Sequence, residues 1–366
     1  MKLICDGLDL SDAVLKVSKA LSVKTSNPVL EGIKMTAKGD ELTFTATDME
    51  LTIEKKIKAE ILMEGETVVV GKYFVEFVKK LEKEQVELCK IDDGQLQIKY
   101  SDSVSELQVF PVENYPKTEK NNSGDFIKTT QKSLKKIIER TAFACSIDDG
   151  RPILKGCLFE VENGELTVVS LDGFRMAIDK KEVESSGNFK AVIPSRTLNE
   201  ITKLLNNDDE EIKIVLYNNT LSIEVENTCI ISRLIEGEFV KYNHILPNNF
   251  SNTVVINKSA FLNSIERASI IAKNDRYNIV KFDIKENYMV VSAKSEIGSV
   301  NENVNVTLTG KDLTIAFNGK YLMDFLKIVD EEFIYIKLNT SIDPAILSPV
   351  GDKEFSYLVL PVRINA

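Results

Sequence analysis

A ten-residue pattern occurs three times in this chain, at Lys72 to Leu81, Arg196 to Leu205 and Lys320 to Val329. A base stands first in each copy (Lys72, Arg196, Lys320), an acid fifth (Glu76, Glu200, Asp324) and a lysine eighth (Lys79, Lys203, Lys327). The third, sixth and tenth places are apolar: Phe74, Phe77 and Leu81, then Leu198, Ile201 and Leu205, then Leu322, Phe325 and Val329. Successive copies lie 124 residues apart, far beyond the period of a solenoid and close to the length of a small domain. The chain reads as one domain written three times. On a helix of 3.6 residues per turn the apolar places share a stripe and the bases fall beside or opposite it, which predicts an amphipathic helix in each copy. For a single copy, solvated surface lysines are a sufficient account; recurrence of the base in all three raises a functional one.

A second helical pattern opens each domain. Val17-Ser18-Lys19-Ala20, Ile138-Glu139-Arg140-Thr141 and Ile265-Glu266-Arg267-Ala268 superpose with a base at Lys19, Arg140 and Arg267. Between the helices lie alternating runs that read as strands: Glu41 to Thr45 after Gly39-Asp40, Glu165 to Val169 after Asn163-Gly164, and Tyr288 to Ser292 after Glu286-Asn287. A further hairpin follows each second helix, with a turn at Asp92-Asp93-Gly94 in the first copy, Asn218-Asn219 in the second and a less regular segment at Ser341-Ile342-Asp343-Pro344 in the third. The expected fold class is α+β, three repeated domains each with two helices and antiparallel sheets. Polar, turn-rich stretches at Asn114 to Gly124 and Asn243 to Asn252 serve as linkers, giving domains at 1–120, 121–246 and 247–366.

Three such cores are affordable at 366 residues with 43% hydrophobic content. A net charge of −10 speaks against a protein that coats nucleic acid and for a cytoplasmic one, while leaving room for a local basic surface. Five cysteines, Cys5, Cys89, Cys145, Cys157 and Cys229, are odd in number and never form C-x-x-C, so free thiols in a reducing compartment are expected rather than disulfides or zinc. No run of 18 apolar residues occurs and the N-terminus carries Asp6 where a secretory segment needs apolar residues, so no membrane partner is expected.

No nucleotide-binding glycine loop, zinc-protease motif or nucleophile elbow is present. The single histidine, His244, is followed by Ile245 and Leu246 and reads as a packed or rim residue rather than half of a catalytic pair. Asp148-Asp149 and Asp208-Asp209 stand in turn-like contexts where solvated carboxylates are commoner than metal ligands. Asp48 and Asp172 occupy one place in successive repeats, and a turn or cap is the expected role. No catalytic residue, metal or cofactor is predicted.

Met1-Lys2-Leu3, Asn27-Pro28-Val29-Leu30, Arg151-Pro152-Ile153-Leu154-Lys155-Gly156, Leu171-Asp172-Gly173-Phe174-Arg175-Met176 and the ending Tyr357-Leu358-Val359-Leu360-Pro361-Val362-Arg363, taken with the triple repeat, resemble the bacterial DNA polymerase sliding clamp, the β subunit of the replicative polymerase. The resemblance covers the whole chain. It implies a non-catalytic processivity subunit, a homodimer closed head to tail into a ring, with helices lining the hole and sheets outside. A heterologous contact of this kind closes if the rotation allows it. The resemblance puts that contact between the first and third domains, at Leu107 with Ile270 and Ile271; where the family usually has an aromatic two residues before Leu107, this chain has Ser105.

Within such a ring the partner is double-stranded DNA held without regard to sequence, since a sliding protein contacts phosphates and reads no bases. The inward bases are then Lys19, Lys24, Lys72, Lys79, Arg140, Arg151, Arg196, Lys203, Arg267, Lys320 and Lys327. The resemblance further implies an apolar cleft on the second domain that takes short linear peptides of the replicative polymerase, the clamp loader and repair proteins. Its matched positions are Leu154, Leu171, Gly173, Arg175 (the polar anchor), Met176, Val240, His244, Ile245, Leu360, Pro361, Val362 and Arg363. Two other readings compete: an acidic three-domain peptide-binding protein that never encircles DNA, and a carboxylate-metal hydrolase using Asp148, Asp149 and Asp172.

Overall fold

A computed structural model describes residues 1–22, 25–91, 94–117, 123–247, 249–272 and 278–363. In chain order the first repeat runs β1 (Lys2–Asp6), α1 (Gly7–Val17), β2 (Gly32–Lys38), β3 (Glu41–Thr47), β4 (Leu51–Lys58), β5 (Glu60–Met63), β6 (Gly65–Val70), α2 (Gly71–Val78), β7 (Gln85–Lys90), β8 (Gln95–Tyr100) and β9 (Ser103–Phe110). The second runs β10 (Asp125–Thr130), α3 (Gln131–Thr141), β11 (Gly156–Glu162), β12 (Glu165–Leu171), β13 (Arg175–Glu182), β14 (Glu184–Ser185), β15 (Phe189–Pro194), α4 (Ser195–Leu204), β16 (Glu211–Tyr217), β17 (Thr220–Val225) and β18 (Thr228–Arg233). The third runs β19 (Asn252–Asn257), α5 (Lys258–Ala272), β20 (Ile279–Ile284), β21 (Tyr288–Ser295), β22 (Gly298–Thr309), β23 (Leu313–Asn318), α6 (Gly319–Leu326), β24 (Phe333–Leu338), β25 (Ala345–Pro349) and β26 (Ser356–Val359). Each repeat thus holds two helices among antiparallel strands, a three-domain α+β fold.

The repeated stripe is buried as its spacing predicts. Phe74, Leu198, Ile201, Leu322 and Phe325 are each at most 2% exposed. Phe77 is the exception: half-buried, it meets the Tyr100 ring edge-on at 5.5 Å. The helices end before the tenth position, so Leu81, Leu205 and Val329 are buried just beyond them. Gly71 opens α2 directly from β6 because the chain passes so close to Glu31 that an added Cβ would lie 2.6 Å from its carbonyl oxygen.

The helix starts at Gly7, Gln131 and Lys258 correct one part of the sequence alignment. They make Lys16 the counterpart of Arg140 and Arg267. Lys19 falls instead in the short 3-10 turn Ser18–Ala20 that follows α1.

The chain packs as two compact units, one of Met1–Thr130, Lys203–Leu205 and Glu210–Leu234, the other of Gln131–Thr202, Asn206–Asp209 and Ile235–Ala366. These divisions depart from the expected boundaries because strand pairing crosses them. In the first unit β18 pairs antiparallel with β4, matching Ile231 with Thr52. In the second, β26 pairs in the same way with β13, matching Leu358 with Met176. Both β4 and β13 are return strands of equivalent hairpins, in which Thr47 faces Thr52 and Leu171 faces Met176. Each join therefore sets the last strand of one repeat against the same hairpin strand of the repeat before it.

Candidate functional site

Of the bases singled out from the sequence, Lys19, Lys72, Lys79, Arg151, Arg196, Lys203, Arg267, Lys320 and Lys327 are exposed. Lys24 lies outside the described residues. Several exposed bases already have carboxylate partners: Lys79 Nζ is 2.6 Å from Glu76 Oε1, Lys327 Nζ is 3.1 Å from Glu266 Oε1, and Arg267 makes a two-pronged pair with Glu302. Lys72 Nζ lies 5.8 Å from the centre of the Tyr73 ring.

Arg140 departs from the expectation of an inward base. Its side chain is 1% exposed, with Nη1 donating to Asp352 Oδ2 at 2.7 Å and Nη2 to Glu331 Oε1 at 3.3 Å, while Asp179 Oδ2 lies 3.7 Å away. The guanidinium covers the Phe355 ring at 4.8 Å. With its charge neutralised and its face covered, Arg140 is a structural residue joining α3 to the third repeat. Burial pushes the Asp179 carboxyl up to about 6 even though Arg140 opposes the shift.

The matched cleft positions only partly converge. Leu154, Leu171 and Met176 belong to one buried apolar cluster, with Leu360 packed against it. Sequence reasoning missed Ile178, Phe239, Tyr242, Ile346 and Leu358 in the same cluster. For Ile178, Ile346 and Leu358 the signal was the continuous apolar runs of β13, β25 and β26, which mark strands buried on both faces without saying what each face shares. Val240, His244 and Ile245 are exposed near it in sequence, and Tyr242 between them is buried, its hydroxyl donating to Glu160. Gly173 is exposed at the tip of the β12–β13 hairpin with φ of +92°, a conformation that favours glycine. The tail continues past the cluster: Leu360 N–H donates to the Phe174 carbonyl and Val362 N–H to the Ala316 carbonyl, both at 2.8 Å. Pro361 and Val362 are half-buried and Arg363 is exposed.

Arg175, expected as the polar anchor of the cleft, is held by partners inside the protein. Its Nε donates to Asp172 at 3.0 Å, Nη1 to Asp324 at 2.6 Å and Nη2 to the Phe143 carbonyl at 3.1 Å. The guanidinium also lies 4.5 Å from the Tyr321 ring centre. All of its donor-bearing nitrogens are committed inside the protein, at 9% exposure, so it ties the β12–β13 hairpin to α6.

Leu107 is half-buried on β9, whose Ser103–Gln108 portion pairs with β8 while only Val109 and Phe110 pair with β6. Ile270 is exposed on α5, and Ile271 packs against the core of the third repeat. Along β22, Gly298–Asn305 pairs with β21, and the switch to β19 comes only at Val306. Among the described strands, β9 and β22 each keep one edge open over these portions.

The carboxylates considered for catalysis do structural work. Asp172 Oδ1 accepts from Phe174 and Arg175 N–H, and Asp48 Oδ1 accepts from Glu50 and Leu51 N–H. Asp148 accepts from Gly150 N–H and Asp149 pairs with Lys155. Among the described residues no three His, Cys, Asp or Glu side chains are grouped to hold a metal ion, and no helix is long and apolar enough to cross a membrane.

A thrice-repeated α+β unit with two helices per repeat, joined strand to strand, is the architecture of a DNA clamp. Models of the N-terminal, central and C-terminal domains of the DNA polymerase III beta subunit match residues 1–119, 128–241 and 243–363. The beta sliding clamp of Staphylococcus epidermidis is 34% identical over 356 residues, 94% of each chain. A crystal structure of a putative DNA polymerase III beta subunit from Eubacterium rectale superposes with a TM-score of 0.93 at 33% identity, covering all of both chains. The DNA polymerase sliding clamp from Bacillus subtilis gives 0.95 at 29%, again over the full length of both. The chain belongs to the DNA polymerase III beta subunit family, the bacterial DNA sliding clamps.

Proposed function

We propose that two copies close head to tail around duplex DNA and slide along it, tethering the replicative polymerase, with no catalytic step of their own. The observation that carries this reading is the pattern of strand joins. β4 takes β18 and β13 takes β26, which leaves the equivalent strand of the third repeat, β22, and the equivalent last strand of the first repeat, β9, without such partners. A second copy supplies what each lacks: β22 of one chain meets β9 of the other, twice, and the assembly closes. Its place of action is the cytoplasm, where the DNA is. The domains are those expected from the linkers, 1–120, 121–246 and 247–366.

Retention on DNA is then topological, and the bases need only hold phosphates weakly and uniformly. Lys19, Lys72, Lys79, Arg151, Arg196, Lys203, Arg267, Lys320 and Lys327 form this lining. The carboxylates beside Lys79, Lys327 and Arg267 keep any one phosphate contact shallow. A net charge of −10 is compatible with DNA because the local field, not the sum, steers the partner.

The cleft around Leu154, Leu171 and Met176, with Gly173, Val240, His244, Ile245, Leu360, Pro361, Val362 and Arg363 around it, receives short apolar peptides of the polymerase, the loader and repair proteins. Internal comparison supports placing it in the second repeat rather than the first. Leu158, Val169, Leu171, Met176 and Ile178 have Lys34, Thr45, Thr47, Thr52 and Glu54 as their counterparts in the first, so of these two only the second offers apolar surface to bury. Sedimentation equilibrium tests the ring: the expected species has twice the 41.0 kDa chain mass, and a monomer at every concentration contradicts it.

A further inference from the structure

We infer that Ile297 of one copy packs on Tyr73 of a second copy, forming an apolar latch beside each strand join of the ring. The inference rests on the head-to-tail reading and adds the register and the side chains that set its strength. The starting point is a contact inside the chain. Phe174, the second residue at the tip of the β12–β13 hairpin, stacks on Tyr321 with ring centres 6.4 Å apart and planes 26° apart. Tyr321 is the second residue of the repeated pattern in α6, directly after the base Lys320. This stacking accompanies the pairing of β13 with β26.

The third repeat offers the same tip and the first repeat the same helix position. The β21–β22 hairpin closes at Ser295 opposite Gly298, so its two tip residues are Glu296 and Ile297. Tyr73 follows the base Lys72 in α2 as Tyr321 follows Lys320. Both lack an internal cover: Ile297 is 64% and Tyr73 62% exposed, large apolar groups that gain by burial.

Register follows from the two joins already made. Thr52 faces Ile231 and Met176 faces Leu358. Ser299 is the residue of β22 in the place of Thr52 and Met176: followed from the equivalent pairs Gly156–Pro194 and Ile279–Asn318, the ladders carry Leu171–Met176 onto Lys294–Ser299. Glu106 is the residue of β9 in the place of Ile231, each lying three past the turn pair of its hairpin, Ser103 or Thr228. Ser299 therefore faces Glu106 of the second copy, and Gly298 faces Leu107. This sends the hairpin tip past the end of β9 toward the start of α2. Both hairpins end in a two-residue tip, Asp172 N–H donating to the Arg175 carbonyl in one and Ser295 pairing with Gly298 in the other, so Ile297 takes the place of Phe174. Where the internal join also has the Arg175–Asp324 ion pair, the corresponding residues here are Gly298 and Glu76. The apolar pair then carries more of this contact.

The test is a double-mutant cycle on the dimer dissociation constant, using full-length wild type, Tyr73→Ala, Ile297→Ala and the double variant. Both sites are exposed in the single chain, so circular dichroism of the variants should match wild type. Each single change is expected to weaken the dimer about tenfold, and the double change little more than either alone. A wild-type dimer that neither change weakens, or in which the two losses multiply independently, overturns the latch and leaves the ring standing. A wild-type chain that never dimerises overturns the head-to-tail reading itself.

Discussion

Arg140 Nη1 donates to Asp352 Oδ2 at 2.7 Å across 212 residues of sequence. With Glu331 and Asp179 alongside, it forms a buried charge cluster joining the second repeat to the third. Buried clusters of this kind contribute little beyond what desolvation costs, but removing one partner leaves the others uncompensated.

Arg140→Ala should therefore destabilise the protein by about 3–5 kcal/mol in urea unfolding. It should leave the salt dependence of DNA binding unchanged, because the guanidinium does not reach solvent. Lys72→Gln, at an exposed site, should do the reverse. It should leave the urea midpoint near wild type and reduce the slope of log affinity against log salt by about 0.9 for each phosphate that is no longer neutralised. A changed slope for Arg140→Ala would contradict its assignment as structural.

Asp179 gives the cluster a pH dependence of known sign. Its folded carboxyl is raised from 3.8 to about 6 by burial, against the opposing pull of Arg140. Between those values the folded state holds the proton more tightly than the unfolded chain. The contribution of Asp179 is thus most favourable below pH 4 and falls as pH rises through 6. Relative to Asp179→Asn, the wild-type unfolding free energy should fall from pH 4 to pH 7 by about 2 kcal/mol. A flat difference would contradict the raised carboxyl.

The cleft can be made to resemble its counterpart in the first repeat. Leu171→Thr with Met176→Thr reproduces Thr47 and Thr52 and replaces apolar surface by hydroxyls. Binding of the replicative polymerase, read by surface plasmon resonance on immobilised clamp, should fall at least tenfold, with sedimentation still reporting a dimer. Undiminished binding would place the peptide site elsewhere.

What the sequence made legible was whatever repeats locally. The stripe from Phe74 to Val329 could be read because burial on a helix depends on residues three or four apart. Asp48 and Asp172 were legible as caps because their partners lie two and three residues on. Arg140 was misread, and the tie of Arg175 to Asp324 went unseen, because the partners Asp352, Glu331 and Asp324 lie far along the chain. A base on a helix looks the same whether it faces solvent or a distant carboxylate. Leu154, Leu171 and Met176 were found through resemblance. Ile346 and Leu358 were not, because their strands are apolar on both faces and show burial without showing against what. The open edges of β9 and β22 depend on pairing across whole repeats, which no local pattern records.

Retention on closed DNA tests the central claim most directly. After loading onto a nicked circular duplex and passage over a sizing column in moderate salt, the protein should co-elute with the circle. It should be lost once a restriction enzyme linearises that DNA. Equal loss from circular and linear DNA would contradict encirclement.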